Sequence, residues 1–234
     1  MQPLANPCVG AVGPEARGTS GEGIFDMQAQ ISMIRESVFK RLFWLYGLST
    51  FFHNLAFLVG YYLLPEGFMR GSPQVAIGSL AATGSFWSEF AMTLLINLGL
   101  MAALAVFLNL NQVNGVPTGY VMPISLGIVT GLIVGTNSFA ASDLKQFNAW
   151  EGTALGTSIG GVETFAYILI IAATAGIGMY HYRSWWRWSG EWAPTKIKSF
   201  REIRLARAEA GCLVLGILLL VAAAYRETAM AVGV

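Results

Sequence analysis

Charge is scarce in this sequence. Only 12% of its 234 residues are Asp, Glu, Lys or Arg, whereas 55% are hydrophobic and the mean hydropathy is +0.57. Soluble domains carry about 25% charged residues, so half that fraction indicates an integral membrane protein. The formal net charge of +1 leaves no basic surface for nucleic acid and excludes that class of partner.

Cysteines and enzyme motifs are also few or absent. Of the two cysteines, Cys8 lies in a polar segment and Cys212 in an apolar run, so we expect neither a disulfide nor a metal site between them. The sequence contains no HExxH, no GxSxG, no P-loop and no paired aspartates within one span. These absences predict that the protein is not an enzyme.

Long apolar runs, by contrast, are plentiful. A membrane-spanning helix needs about 20 largely apolar residues. We predict an all-α bundle of five such helices, at 42–64, 89–110, 120–139, 159–180 and 208–228. The segment 71–86 is too short and too rich in Gly and Ser to span, so we interpret it as a loop, with an interfacial turn as a further possibility. An odd span number without an internal repeat disfavours a transporter of two inverted halves.

Lys and Arg residues orient the predicted bundle. Eleven of them fall on the side of the N-terminus, the 111–119 turn and the 181–207 loop, against three on the other side. The positive-inside rule therefore places the N-terminus in the cytoplasm and the C-terminus outside. We predict a multi-pass protein of a bacterial inner membrane, or of an intracytoplasmic or thylakoid membrane.

The N-terminal part differs from the rest of the chain. Residues 1–26 are rich in Gly and Pro and lack the apolar core of a signal peptide. Such a composition normally indicates disorder, but we expect this tail to be ordered against another subunit. Residues 27–41 carry apolar side chains at helical spacing with charged ones largely opposite, which predicts an interfacial helix. A plain extension of the first span is the alternative.

Small residues recur at intervals of four in the third predicted span and continue in the fourth. The spacing places Gly127, Gly131 and Gly135 on one face of a helix, and Ala172 and Gly176 follow in the next span. Such stripes let helix backbones approach closely, as in GxxxG association. We interpret them as packing surfaces, with a substrate channel as the alternative.

Polar side chains interrupt the predicted spans. Asn54, Glu89, Asn97 and Glu163 are the members that we interpret as inter-helix or helix-capping residues. The alternative is a cation path through Glu89, Asn97 and Glu163. Glu163 is expected within about one turn of the non-cytoplasmic end of its helix, where the helix dipole favours a carboxylate.

His53 lies within the first predicted span. A neutral imidazole there can ligate a metal, a haem or the magnesium of a chlorophyll, or it can hydrogen-bond a neighbouring helix. We therefore name His53 as a candidate cofactor-binding residue. No cofactor is required, and no catalytic residue or metal site is predicted; lipid, a chlorophyll-type pigment or a carotenoid at the bundle surface are the candidate ligands.

Aromatic and basic residues cluster in the predicted cytoplasmic loop. The members expected to face a partner subunit or lipid are Trp185, Trp186, Arg187, Trp188, Trp192, Arg201 and Arg204. Tryptophan anchors membrane interfaces, arginine meets lipid headgroups, and both are enriched at protein-binding hot spots. The cluster is larger than one helix anchor requires, which favours other membrane protein subunits as partners.

From about residue 89 to 226 the chain resembles the stage II sporulation protein M family of bacterial membrane proteins. The resemblance is carried by an asparagine-bearing helix (TLLINLGLMAALAVFL), a Gly-rich helix (GIVTGLIVGTNSF), the span GGVETFAYILIIAATAGI, a basic connector and a last span that ends in an acidic residue (LVLGILLLVAAAYRE). The family usually has Pro-His-Gly before the acidic residue, and Ile159, Gly160 and Gly161 occupy that region here. The resemblance implies a non-enzymatic membrane scaffold.

Three functions remain open from the sequence. The leading expectation is a non-enzymatic scaffold or accessory subunit that docks into a larger membrane complex through Gly-rich helix faces, the ordered tail and the Trp- and Arg-rich loop. One alternative is a pigment- or cofactor-contacting subunit of a photosynthetic or electron-transfer complex. The other is a small channel or transporter.

Overall fold

The structure, a computed structural model, describes residues 37–81, 84–138, 148–151, 160–184 and 193–232. Its main helices are α1 (Val38–Leu63), α2 (Pro73–Ala81), α3 (Phe86–Asn109), α4 (Val121–Gly135), α5 (Gly161–Thr174) and α6 (Arg207–Val232). The described strands are β1 (Asn111–Val113), β2 (Val116–Pro117), β3 (Tyr180–Tyr182) and β4 (Thr195–Lys196). One-turn 3₁₀ helices precede α4 at Thr118–Tyr120 and extend α5 at Ala175–Ile177.

Within the described residues, four helices are long and apolar enough to cross a membrane. They are Val38–Leu63, Phe86–Asn109, Thr118–Gly135 and Arg207–Val232. These helices coincide with four of the five predicted spans, because length and hydropathy determine both. The remaining predicted span, 159–180, corresponds to the shorter apolar helix Gly161–Ile177. The long apolar helices make this a multi-pass membrane protein.

The short helix α5 occupies the centre of the fold. Ile168 and Ile171 expose none of their surface, and Ala166 and Ala173 are equally buried. α1, α3, α4 and α6 all pack against α5. A helix that is apolar on every side is stable only when other helices surround it, and the stretch FAYILIIAA has that composition.

α1 and α4 pack closely along their length and run parallel. The glycines of α4 face backbone carbonyl groups of α1 in matched steps of four residues: Gly127 faces Ser49, Gly131 faces His53 and Gly135 faces Phe57. Steps of four keep the same face of an α-helix in contact with its neighbour. The glycine stripe is therefore covered by the protein's own first helix.

α2 lies where a loop was expected from the sequence. Ser72 begins this helix, because its Oγ accepts from the Val75 amide at 3.4 Å and its carbonyl accepts from the Ala76 amide at 3.1 Å. Pro73 takes the first helical position, where a missing N–H group is tolerated. This start signal outweighs the Gly and Ser content, so the loop prediction is wrong for Pro73–Ala81.

A small sheet at one end of the bundle is missing from the all-α prediction. Its strand order is β2-β1-β3-β4, with β1 parallel to β3 and the other pairs antiparallel. Asn114 and Gly115 connect β1 to β2 with positive φ values of 50° and 78°, the conformation that an Asn-Gly pair favours in a hairpin turn. The sheet joins the turn between α3 and α4 to the segment after α5.

Several sequence predictions fall outside the described residues. They concern the tail 1–26, residues 27–36 of the expected interfacial helix, and the loop members Trp185, Trp186, Arg187, Trp188 and Trp192. The rest of the expected interfacial helix belongs to α1, which begins at Val38 with Ser37 as its N-cap.

Candidate functional site

A pocket of about 270 Å³ opens between α2, α3, α4, α5 and α6. Its polar lining includes Gln74, Asn97, Thr130, Glu163, Tyr167 and Glu227, and its apolar lining includes Ile77, Ile96, Met101 and Leu126. We call it the carboxyl pocket after Glu163 and Glu227. A concave site with apolar walls and a few convergent polar groups is the usual form of a small-ligand site.

Glu163 and Glu227 reach the pocket from different helices. α5 and α6 run antiparallel, since Gly216 faces Ala166 whereas Glu227 meets Glu163. The two carboxyl groups are hydrogen-bonded to each other. Tyr167, one turn after Glu163, donates its hydroxyl hydrogen to Glu163 Oε1 at 2.8 Å. Because a carboxylate can only accept hydrogen bonds, at least one of the two bonded carboxyl groups carries a proton.

Arg226 is a cation next to Glu227 in the sequence. It interacts electrostatically with Glu227 and has an exposed side chain. Arg226 lines a second, smaller pocket of about 110 Å³ together with Val162 and Met230. Of the side chains that the structure describes, no Lys or Arg lines the carboxyl pocket, so the two carboxyl groups face the pocket without a cationic partner in its lining.

Asn97 enters the pocket from an irregular part of α3. The stretch Leu95–Ala102 is a π-helix between two α-helical parts, Phe86–Leu94 and Ala103–Asn109. Such stretches bond residue i to i+5 and are frequent at functional sites. The Asn97 side chain is only 6% exposed, and its Nδ2 has no hydrogen-bond partner among the described residues. The pocket thus presents a free amide donor in addition to the carboxyl pair.

α2 covers the pocket with one face. Gln74, Ile77 and Gly78 all line it, and their spacing of three and four residues places them on the same side of a helix. Ser72 and Pro73, which start this helix, therefore also determine which residues close the pocket.

His53 is linked to the pocket through Thr130, which lines it. The Thr130 hydroxyl donates to the Leu126 carbonyl at 2.8 Å, so its oxygen accepts from His53 Nδ1 at 3.0 Å. In the neutral ring Nε2 then carries the lone pair, and this atom is buried without a partner in the described part of the chain. A cofactor would have to displace the packing around Nε2 before His53 could bind it.

Two other predicted polar residues form hydrogen bonds to groups near them in the chain. Asn54 donates its amide to the Thr50 carbonyl of its own helix at 2.8 Å, so it does not join two helices as expected, because the carbonyl one turn earlier is within its reach. Glu89 lies in the first turn of α3 and accepts from the Gly84 amide at 2.7 Å. Glu89 therefore closes the turn before α3 and does not line the carboxyl pocket.

The remaining predicted residues lie at the end of the bundle opposite to Glu163 and Glu227. Ala172 is completely buried in α5, and a Cβ atom on Gly176 would lie 3.8 Å from Glu209 Oε1. Arg201 and Arg204 are exposed in the segment before α6. Glu209, in the first turn of α6, forms an ion pair with the buried Arg41 of α1, which joins the first and last long helices.

Glu227 and Tyr167 are the site residues that sequence reasoning missed. In the sequence Glu227 is the acidic end of the last span, and Tyr167 is one aromatic residue within an apolar run. The available signal was that Glu163 and Glu227 both lie toward the same predicted side of the membrane, at the start of one span and at the end of the next. Antiparallel neighbours bring such ends together.

Comparison of the chain with protein-family models, with curated proteins and with solved structures found no match in any of the three. The resemblance to stage II sporulation protein M therefore stays a prediction. Among the described residues there is no group of three or more His, Cys, Asp or Glu side chains that could hold a metal ion.

Proposed function

We propose that the protein is a small channel or transporter for cations, with five membrane-crossing helices and a cytoplasmic N-terminus. In this proposal α1, α3, α4, α5 and α6 cross in alternating directions. The parallel packing of α1 with α4 and the antiparallel packing of α5 with α6 are consistent with that alternation. The proposed location is a bacterial inner membrane or an intracytoplasmic membrane.

The observation that carries this proposal is the pair of carboxyl side chains facing one pocket between apolar helices. Ionisable side chains within membrane-spanning helices are rare, and those that face the interior of a bundle mark binding sites and pathways. Glu163 and Glu227 form their described bonds with each other and with Tyr167, and no basic side chain described by the structure lines their pocket. A positively charged ligand complements this arrangement.

An accessory subunit is the second candidate, and a different surface favours it. The glycine stripe offers no docking face, because α1 covers Gly127, Gly131 and Gly135. The outer side of α1 does expose aromatic rings, with Phe43 at 74% and Trp44 at 59% exposure. Such a surface fits a partner helix, lipid or a pigment ring.

Uptake into proteoliposomes tests the proposed function. The probe is labelled tetramethylammonium, which is permanently charged and so does not cross the bilayer as a neutral amine. Vesicles with the full chain are expected to take it up saturably, whereas Glu163→Gln and Glu227→Gln vesicles lose this uptake. Glu151→Gln is the matched control, because Glu151 is exposed and does not line the pocket.

Two results would count against the proposal. One is wild-type uptake no faster than that of protein-free vesicles. The other is equal uptake by wild type and by the Glu163→Gln/Glu227→Gln protein, which would mean that the cation takes a route that avoids the pocket.

A further inference from the structure

The carboxyl pocket has features that restrict its ligand beyond positive charge. The pair Glu163 and Glu227 supplies carboxyl oxygens that bear a negative charge once a proton is released, and Ile77, Ile96 and Leu126 supply an apolar wall in the same pocket. A bare metal ion needs several oxygen, nitrogen or sulfur ligands around it. The lining of this pocket is mainly apolar, and apolar side chains provide no such ligands. An organic cation fits both the charge and the apolar wall.

Asn97 adds a second, independent requirement. Its side chain is more than nine-tenths buried, it lines the pocket, and its Nδ2 has no acceptor among the described residues. Buried amide donors are nearly always paired with an acceptor from protein, water or ligand. The π-helical turn holds this donor inside the bundle at Leu95–Ala102, so an acceptor has to come from whatever enters the pocket.

We infer that the ligand of the carboxyl pocket is a small organic ammonium ion that also carries a hydrogen-bond acceptor, such as a short amino alcohol. This inference rests on the proposed function. The ammonium group binds at Glu163 and Glu227, the acceptor receives the Asn97 amide hydrogen, and the carbon chain lies against the apolar wall. The volume of about 270 Å³ lies near the lower end of the range for ligand pockets and suits a molecule of this size.

Three probes of equal size separate the contribution of the positive charge from that of the hydrogen-bond acceptor. They are 3-aminopropan-1-ol, which has both groups, butylamine, which lacks the acceptor, and butan-1-ol, which lacks the charge. Binding to the purified full chain is measured by titration calorimetry in mild detergent. We expect aminopropanol to bind about tenfold more tightly than butylamine, as one good hydrogen bond to a buried donor provides, and butanol to show no saturable binding.

Substitutions show which residue causes the difference in affinity between aminopropanol and butylamine. Asn97→Leu is expected to remove the preference for aminopropanol and leave butylamine affinity within about twofold, since only the donor is lost. Asn54→Leu is the matched control, because the Asn54 amide bonds to its own helix. Glu227→Gln is expected to weaken both amines. The wild-type comparison remains decisive even if a variant does not fold.

Failure of this inference is distinguishable from failure of the proposed function. Equal affinity of wild type for butylamine and aminopropanol, or saturable sodium binding that displaces aminopropanol, overturns the inference. If tetramethylammonium uptake still depends on Glu163 and Glu227, the proposed function stands. If neither amine binds and no uptake occurs, both proposals fail.

Discussion

Replacement of Gly127 by alanine tests the close packing of α1 against α4. A Cβ atom at Gly127 would lie 2.5 Å from the Ser49 carbonyl oxygen and 3.2 Å from Ser49 Oγ. Ordinary contact between carbon and oxygen is about 3.3 Å, so the helices would have to separate by somewhat under 1 Å. The obstacle is a backbone atom that cannot rotate away. The shift would also strain the bond that Ser49 Oγ donates to the Pro123 carbonyl at 2.9 Å.

Overpacking of this kind lowers the free energy of unfolding by about 1–3 kcal/mol. The higher helix propensity of alanine offsets up to about 1 kcal/mol of this loss. We therefore expect the free energy of unfolding to fall by about 1–2 kcal/mol. For a chain of this length that lowers the Tm by about 2–8 °C. The matched control is Gly47→Ala in α1, where the structure places no described atom within 4 Å of the new Cβ.

Cys212 provides the assay. Its side chain is buried in the folded protein, so it reacts with a thiol-specific dye only when the bundle opens, and a Cys8→Ser background removes the other thiol. Heating in detergent with the dye gives the Tm of each variant. Equal Tm values for Gly127→Ala and Gly47→Ala would refute the close contact between α4 and α1.

Three further predictions use the same purified protein. Tyr167→Phe removes the 2.8 Å hydrogen bond to Glu163 and is expected to lower the free energy of unfolding by about 1–2 kcal/mol; an unchanged Tm would show that this bond is not formed. Arg41→Met removes the ion-pair partner of Glu209, whose side chain is 16% exposed, and is expected to lower the free energy of unfolding by about 1–3 kcal/mol; addition of Glu209→Gln is expected to recover much of the lost Tm, and no recovery would exclude the ion pair as the cause. In a Cys8→Ser/Cys212→Ser background, a membrane-impermeant thiol reagent added outside intact cells is expected to label Glu151→Cys but not Arg201→Cys, and the reverse pattern would overturn the proposed orientation.

The membrane helices were predictable because they depend on local composition. Runs of about 20 apolar residues locate α1, α3, α4 and α6 without knowledge of their neighbours. The regular spacing of Gly127, Gly131 and Gly135 likewise indicates close helix packing. It does not identify the partner, since a stripe of glycines fits a helix of the same chain as well as one from another subunit.

Features set by short signals were harder to predict. The sequence does contain signals for the helix start at Ser72 and Pro73 and for the Asn114–Gly115 turn. These signals are only two residues long, so a prediction based on the composition of the surrounding Gly-rich or apolar stretches overlooks them. The π-helix at Leu95–Ala102 has no comparable signal, because its residues would equally form an α-helix.

The site could be predicted only in part, because it combines residues from distant positions. Asn97 and Glu163 stood out individually as polar residues in apolar helices. Their placement in one pocket with Glu227 depends on how α3, α5 and α6 pack, which no local pattern encodes. Glu89 shows the opposite case: it has the same chemistry as Glu163, but its position in the first turn of α3 directs it to the Gly84 amide.

The affinity of the purified full chain for butylammonium, compared between wild type and the Glu163→Gln/Glu227→Gln protein, tests the central claim most directly. The claim is that these two carboxyl groups form a cation site. It predicts saturable binding by wild type, a loss of at least about tenfold in the double variant, and unchanged binding by Glu151→Gln. Equal affinities of wild type and the double variant, or no saturable binding by wild type, would contradict it.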